Sequence, residues 1–132
     1  MSTNTHPNDH DQHEDTLLDV EAIGGLRRME QDLGPGLVEE LIDIYLSDTP
    51  DRLVALTVAA RTGDSVVLAE QSHALRSSCA QLGARSMEAL CRLIEKAADA
   101  AQPLEGSRLV ERLKREFDRL RPALLSECET TD

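Results

Sequence analysis

From Thr16 onward, apolar residues recur at intervals of three and four, the period of a helix with one buried face. The first segment, "TLLDVEAIGGLRRMEQDLG", opens with Leu17, Leu18 and Val20. Gly24 and Gly25 weaken its middle, so a short, imperfect helix is expected. Gly34-Pro35-Gly36 is a break. "LVEELIDIYLSD" then places Leu37, Leu41, Ile44 and Tyr45 on one face. Thr49 reads as an N-cap and Pro50 as the first residue of a new helix, which carries Leu53, Leu56 and Ala60 inward and stops at Gly63.

Asp64 caps the next helix, which runs to Leu82. Along it Leu68, Ser72, Leu75, Cys79 and Leu82 alternate by four and three and form one narrow seam. Gly83 ends that helix, and "RSMEALCRLIEKAADA" follows after a tight turn with Met87, Leu90, Ile94 and Ala98 inward. A looser stretch, "AAQPLEG", leads to Ser107. The last helix uses Leu109, Leu113, Phe117, Leu120 and Leu124, and Pro122 is expected to kink or fray its end. No strand-like alternation of useful length occurs. The fold class predicted is all-α, an up-and-down antiparallel four-helix bundle over residues 16–126 with one or two short accessory helices. Residues 1–15 contain no apolar residue after Met1 and read as a disordered acidic tail; 127–132 read as a flexible end.

Composition narrows the function. The 132 residues suggest one domain, long enough to bury roughly two-thirds of the unfolded chain's surface. The net charge of −11 argues against nucleic acid and anionic membrane surfaces as partners. With no Trp, one Tyr (Tyr45) and one Phe (Phe117), the core must be Leu, Ala and Val, and stacking on bases is excluded. Cys79, Cys91 and Cys128 lack metal-ligand spacing and read as free thiols of a reducing cytoplasm. His6, His10 and His13 have no scaffold that would gather them around a metal. The N-terminus has neither a positive n-region nor an apolar h-region, and no apolar run approaches the roughly 20 residues of a membrane span. A cytoplasmic, free-standing protein is expected.

One residue stands apart from the packing pattern. His73 directly follows the seam residue Ser72, so it points about 100° away from it. Its helical neighbours Ala69, Ser77 and Ala80 are small and leave the ring clear. A neutral imidazole offers a nucleophilic nitrogen. Arg76, one turn on and expected to be exposed, could hold an anion added there. Antiparallel packing about Gly83 brings Arg92 to Lys96 within range of His73, and Glu95 is the carboxylate among them. Gln81 is more peripheral.

The string "HALRSSCAQLGA" resembles the signature of the histidine-containing phosphotransfer (HPt) domain, H-x-L-K-G-S-S-x-x-L-G-A. His73, Leu75, Ser78, Leu82, Gly83 and Ala84 match, and Arg76 stands where the family has lysine. "LIDIYLSDTPDRLVALTVAARTGD" and "LGARSMEALCRLIEKAA" resemble the segments on either side, so the likeness covers roughly residues 16–126.

The resemblance implies a four-helix bundle in which His73 carries the phosphoryl group, passing it between receiver-domain aspartates of a hybrid sensor histidine kinase and/or a response regulator. It implies no autonomous kinase activity and no cofactor held by this chain, the Mg²⁺ belonging to the receiver, and a monomer is expected. In the family a polar residue often bonds the inner ring nitrogen, which makes Glu95 the orienting candidate. Docking would use the surface around His73, with Ala69, Ser77, Ala80 and, on the first helix, Ile23. The chemistry agrees: phosphoryl transfer rests on positioning and charge stabilisation, and the chain has no phosphate-binding glycine loop or nucleotide fingerprint.

The chain departs from the family at Ser77, which replaces its glycine, and at Cys79, which replaces a small residue and reads as core packing. Two other functions remain open: a non-phosphorylated interaction bundle, favoured only by Ser77, and a helical metalloprotein, opposed by the apolar inner seams.

Overall fold

The computed structural model describes residues 16–129; the tail at 1–15, with His6, His10 and His13, and residues 130–132 lie outside the described residues. Five helices and no strand occur among the described residues: α1 (Val20–Leu33), α2 (Leu37–Thr62), α3 (Ser65–Leu82), α4 (Arg85–Asp99) and α5 (Pro103–Glu129). α3 packs between α2 and α4, α5 packs against α2 and α4, and α1 lies against α2 and α3. Connections of two or three residues make successive long helices antiparallel. At 14 residues α1 is nearly as long as the 15-residue α4, so it is a full fifth helix rather than a short piece.

α1 is unbroken despite Gly24 and Gly25. Asp19 caps it by accepting from the Glu21 N–H at 3.0 Å, and Ile23 and Leu26, flanking the glycines, anchor it in the core. The burial of Ile23, 1% exposed, removes it from the docking surface on which it was expected. A helix laid across a bundle needs its apolar stripe for packing, and α1 has few other large side chains to spend there. α1 meets the α3–α4 turn closely: the Asp19 N–H donates to the Gly83 carbonyl at 2.7 Å. A Cβ on Gly83 would lie 2.7 Å from both Ala22 Cβ and the Asp19 carbonyl oxygen, and Gly83 has φ +81°. Glycine is required there twice over, for conformation and for space.

The boundary expected at Thr49-Pro50 does not exist. α2 continues for 26 residues through Pro50. A proline inside a helix costs about 3 kcal/mol, yet Tyr45, Thr49, Leu53 and Leu56 form one buried face across it and outweigh that cost. Pro50 itself is exposed, and Thr49 Oγ1 donates to the Tyr45 carbonyl at 2.6 Å. The inward face of the first half is correspondingly shifted. Val38, Ile42 and Tyr45 are buried, Leu37 and Leu41 are half-buried, and Ile44 is 50% exposed.

The other expected seams are buried in full: Leu68, Ser72, Leu75, Cys79 and Leu82 on α3; Met87, Leu90, Ile94 and Ala98 on α4; Leu109, Leu113, Phe117, Leu120 and Leu124 on α5. Asp64 caps α3 by accepting from Val67 N–H at 3.1 Å. α5 differs from expectation at both ends. It starts at Pro103 rather than Ser107, because Pro suits the first helical turn and Gly106 fits against Leu68. It also runs through Pro122 to Glu129, so residues 127–129 form its last turn. Leu124 is buried there, and Arg27 donates to the Glu127 carbonyl at 2.7 Å. Tyr45 and Phe117 meet in the middle with ring centroids 6.2 Å apart. Among the described residues, no helix is long and apolar enough to cross a membrane.

Candidate functional site

The site begins at two adjacent residues of α3. Ser72 is fully buried, and its hydroxyl donates to the Leu68 carbonyl at 2.7 Å. His73 therefore faces out, with its side chain 63% exposed. Ser77 is exposed one turn further along, and its hydroxyl turns back to the His73 carbonyl at 3.3 Å instead of standing out from the helix. Ala69 and Ala80 are half-buried, Ala69 against the core.

The Gly83 turn brings α4 alongside, and Glu95 arrives beside the ring. Its Oε1 lies 3.5 Å from His73 Nδ1, and its Oε2 accepts a hydrogen bond from Arg76 Nε. Arg76 Nη2 lies 3.1 Å from the same Nδ1. Arg76 was expected to be exposed; its side chain is 31% exposed, because Glu95 draws it onto the helix pair. The hydrogen bond that Arg76 donates to Glu95 also pushes the Arg76 pKa up, so the guanidinium keeps its charge. His73, Arg76, Ser77 and Glu95 thus come together. Among the described residues, no protein atom bonds Nε2 of His73.

Beneath this polar cluster lies a layer of sulfur. Tyr45 hydroxyl is 3.3 Å from Cys79 Sγ and 3.1 Å from Met87 Sδ. A hydrogen bond with Cys79, then burial, pushes the Cys91 thiol well up; burial above all does the same to the Tyr45 phenol. These groups stay protonated and pack. All three cysteines are free, with Cys79 and Cys91 buried. Among the described residues, no group of three or more His, Cys, Asp and Glu converges as a metal site would require.

Ile44 is the surface residue the sequence pattern misplaced. With α2 continuous, it faces outward and borders a shallow hollow between α2 and α3 shared with Asp48, Arg52, Ser78 and Gln81. The signal that places it was the unbroken spacing from Val38 through Leu56, hidden by reading Pro50 as a boundary. Gln81 is exposed on α3.

Comparison with known proteins identifies the family and the fold. The family model described as "Hpt domain" matches residues 40–123, which include His73, Arg76 and Glu95. Among solved structures, the fold is similar to histidine-containing phosphotransfer protein B (HptB) from Pseudomonas aeruginosa PAO1. That match has a TM-score of 0.79 at 23% identity and covers 89% of this chain and 99% of that one. Among curated proteins no relative matches. The chain belongs to the Hpt domain family.

Proposed function

We propose that this chain is a histidine phosphotransfer intermediate: His73 accepts a phosphoryl group from a receiver-domain aspartate and passes it to another receiver. Hpt domains are phosphocarriers of two-component signalling rather than kinases, and the family match supports that module here. The observation that carries the residue assignment is the state of the ring. Its inner nitrogen is held against Arg76 and Glu95, while its outer nitrogen is open to another molecule.

In the forward step, the Nε2 lone pair attacks phosphorus, the P–O bond to the aspartate breaks, and the electron pair leaves on the carboxylate. Arg76 offers charge-assisted donors to the phosphoryl oxygens. Glu95 can accept from Nδ1–H and offset the charge that phosphorylation leaves on the ring. The Mg²⁺ is the receiver's, and this chain holds no cofactor. The fold is read as a four-helix bundle, α2 to α5, with α1 covering one end, working as a cytoplasmic monomer. Partners are receiver domains of a hybrid sensor histidine kinase and/or a response regulator. They dock on Ser77, Ala69 and Ala80, and on Ile44 in the role first given to Ile23.

The alternative, an interaction bundle that is never phosphorylated, rested on Ser77; its hydroxyl folds back onto the helix and leaves the approach open. Incubation with a phosphorylated receiver and Mg²⁺ tests the two readings. Acid-labile, base-stable label is expected on the wild type and none on His73→Gln. Undiminished label on that variant would overturn the assignment, and no label from any receiver of the same cell would favour the interaction bundle.

A further inference from the structure

Two side chains make opposite demands on His73 Nδ1. Arg76 Nη2 lies 3.1 Å from it, and Glu95 Oε1 lies 3.5 Å away. A guanidinium has only donors. Its contact requires Nδ1 to accept, so the single proton of the neutral ring sits on Nε2. A carboxylate has only acceptors. A bond to Glu95 requires Nδ1–H, which leaves the lone pair on Nε2. One neutral ring cannot satisfy both. Arg76 is the nearer partner and lies within ordinary hydrogen-bond range, whereas 3.5 Å is at its outer edge. Glu95 also anchors the competitor, since its other oxygen binds Arg76 Nε.

We infer that Arg76 holds resting His73 in the Nε2–H tautomer, whose outward nitrogen carries the proton and cannot attack, and that Glu95 selects the reactive Nδ1–H tautomer once the guanidinium is drawn away. The inference rests on His73 being the phosphoryl acceptor. The arriving phosphoryl group supplies the pull, because its anionic oxygens accept the same donors more strongly than a ring nitrogen does. As the guanidinium turns toward phosphate, Nδ1 gains a proton from solvent and Nε2 gives one up, with no net change. The Nε2 lone pair then forms the N–P bond as the P–O bond breaks, and Nδ1–H remains on Glu95. Arg76 is thus a positioning residue before transfer and a charge stabiliser during it.

The family's lysine would not do both. A guanidinium is a rigid fork that places one nitrogen on Glu95 and another on the ring. An ammonium has a single nitrogen, and Glu95 is its stronger acceptor. Arg76→Lys should therefore keep the positive charge and release the ring.

Long-range proton–nitrogen NMR on the ¹⁵N-labelled full chain reads the tautomer directly at alkaline pH, with His73→Gln assigning the signals. The Nε2–H form is expected to predominate in the wild type. Arg76→Ala and Arg76→Lys should move the ratio toward Nδ1–H by at least about fivefold, the weight of one net hydrogen bond. Glu95→Ala added to Arg76→Ala should reverse the part of that shift that Glu95 supplies. Predominance of Nδ1–H in the wild type, or an unchanged ratio in Arg76→Ala with normal helicity, would overturn the inference. The measurement needs no receiver, so it can fail while His73 remains the labelled residue, and the reverse.

Discussion

The two faces of α3 differ in what they ask of their residues. On the inner seam every side chain from Leu68 to Leu82 is closed off by neighbours, and Ser72, its hydroxyl-bearing member, satisfies itself on the Leu68 carbonyl. On the outer stripe His73 and Ser77 are open, and the half-buried Arg76 and Glu95 set the ring's condition through polar contacts. One face is defined by volume, the other by donors and acceptors. A domain built this way lets the outer stripe vary without risk to the fold, and the seam carries stability without taking part in the stripe's polar contacts. Substitutions on the two faces should fall into separate classes, and a variant that crosses between them would break the distinction.

The largest effect belongs to the seam. Leu75 is fully buried two residues from His73. Leu75→Ala should cost about 2–5 kcal/mol of stability through lost transfer energy and the cavity left behind. Urea unfolding should show a lower midpoint at unchanged slope. Under conditions where that variant remains folded, its phosphotransfer rate should match the wild type. A slow rate in the folded variant would mean that seam packing controls the ring, against the division drawn here.

Seam and stripe were also not equally legible in the sequence. α3 reads cleanly because nothing interrupts its four-three spacing, so Ser72 inside and His73 outside follow from position alone. α2 reads badly because Pro50 imitates a helix start. Dividing the helix there detached Val38 and Ile42 from the register of Leu53 and Leu56 and turned Ile44 inward. Local propensity lost to burial that spans the proline, a tertiary effect that no short window contains. Ile23 failed differently: its spacing is that of a core residue, and only analogy with the family put it on the surface. Glu95 follows from its distance to Gly83, because a tight antiparallel turn makes sequence distance into spatial distance. The bond between Glu95 and Arg76 was not foreseen, since side-chain pairing depends on rotamers rather than on period.

The next effect lies on the outer stripe. Arg76→Ala should slow transfer from a phosphorylated receiver by about tenfold to a hundredfold. That is at or below the lower end of what losing one preorganised donor costs, because this site is open to water. Its circular dichroism and urea midpoint should match the wild type, because Arg76 contributes no core volume. A large loss of helicity would place Arg76 among the structural residues and blur the two faces.

The smallest expected effect asks how far the functional face extends beyond α3. Ile44 and Val58 lie on the same helix with nearly equal exposure, 50% and 53%. Ile44 borders the α2–α3 hollow with Ser78 and Gln81, on the side of His73's helix. Val58 borders the groove between α2 and α5 with Phe117 and Lys114, on the far side of α2. Partial burial of an isoleucine against a receiver is worth about 1 kcal/mol, or roughly a fivefold change in Kd. Titration of receiver domain into Ile44→Ala should show that weakening, while Val58→Ala binds as the wild type does. Equal losses in both would mean that the receiver spans α2, and a loss in Val58→Ala alone would move the docking face away from the hollow. Because neither substitution touches the ring, the rate of transfer at saturating receiver should be unchanged in both, which separates docking from chemistry on the same open surface.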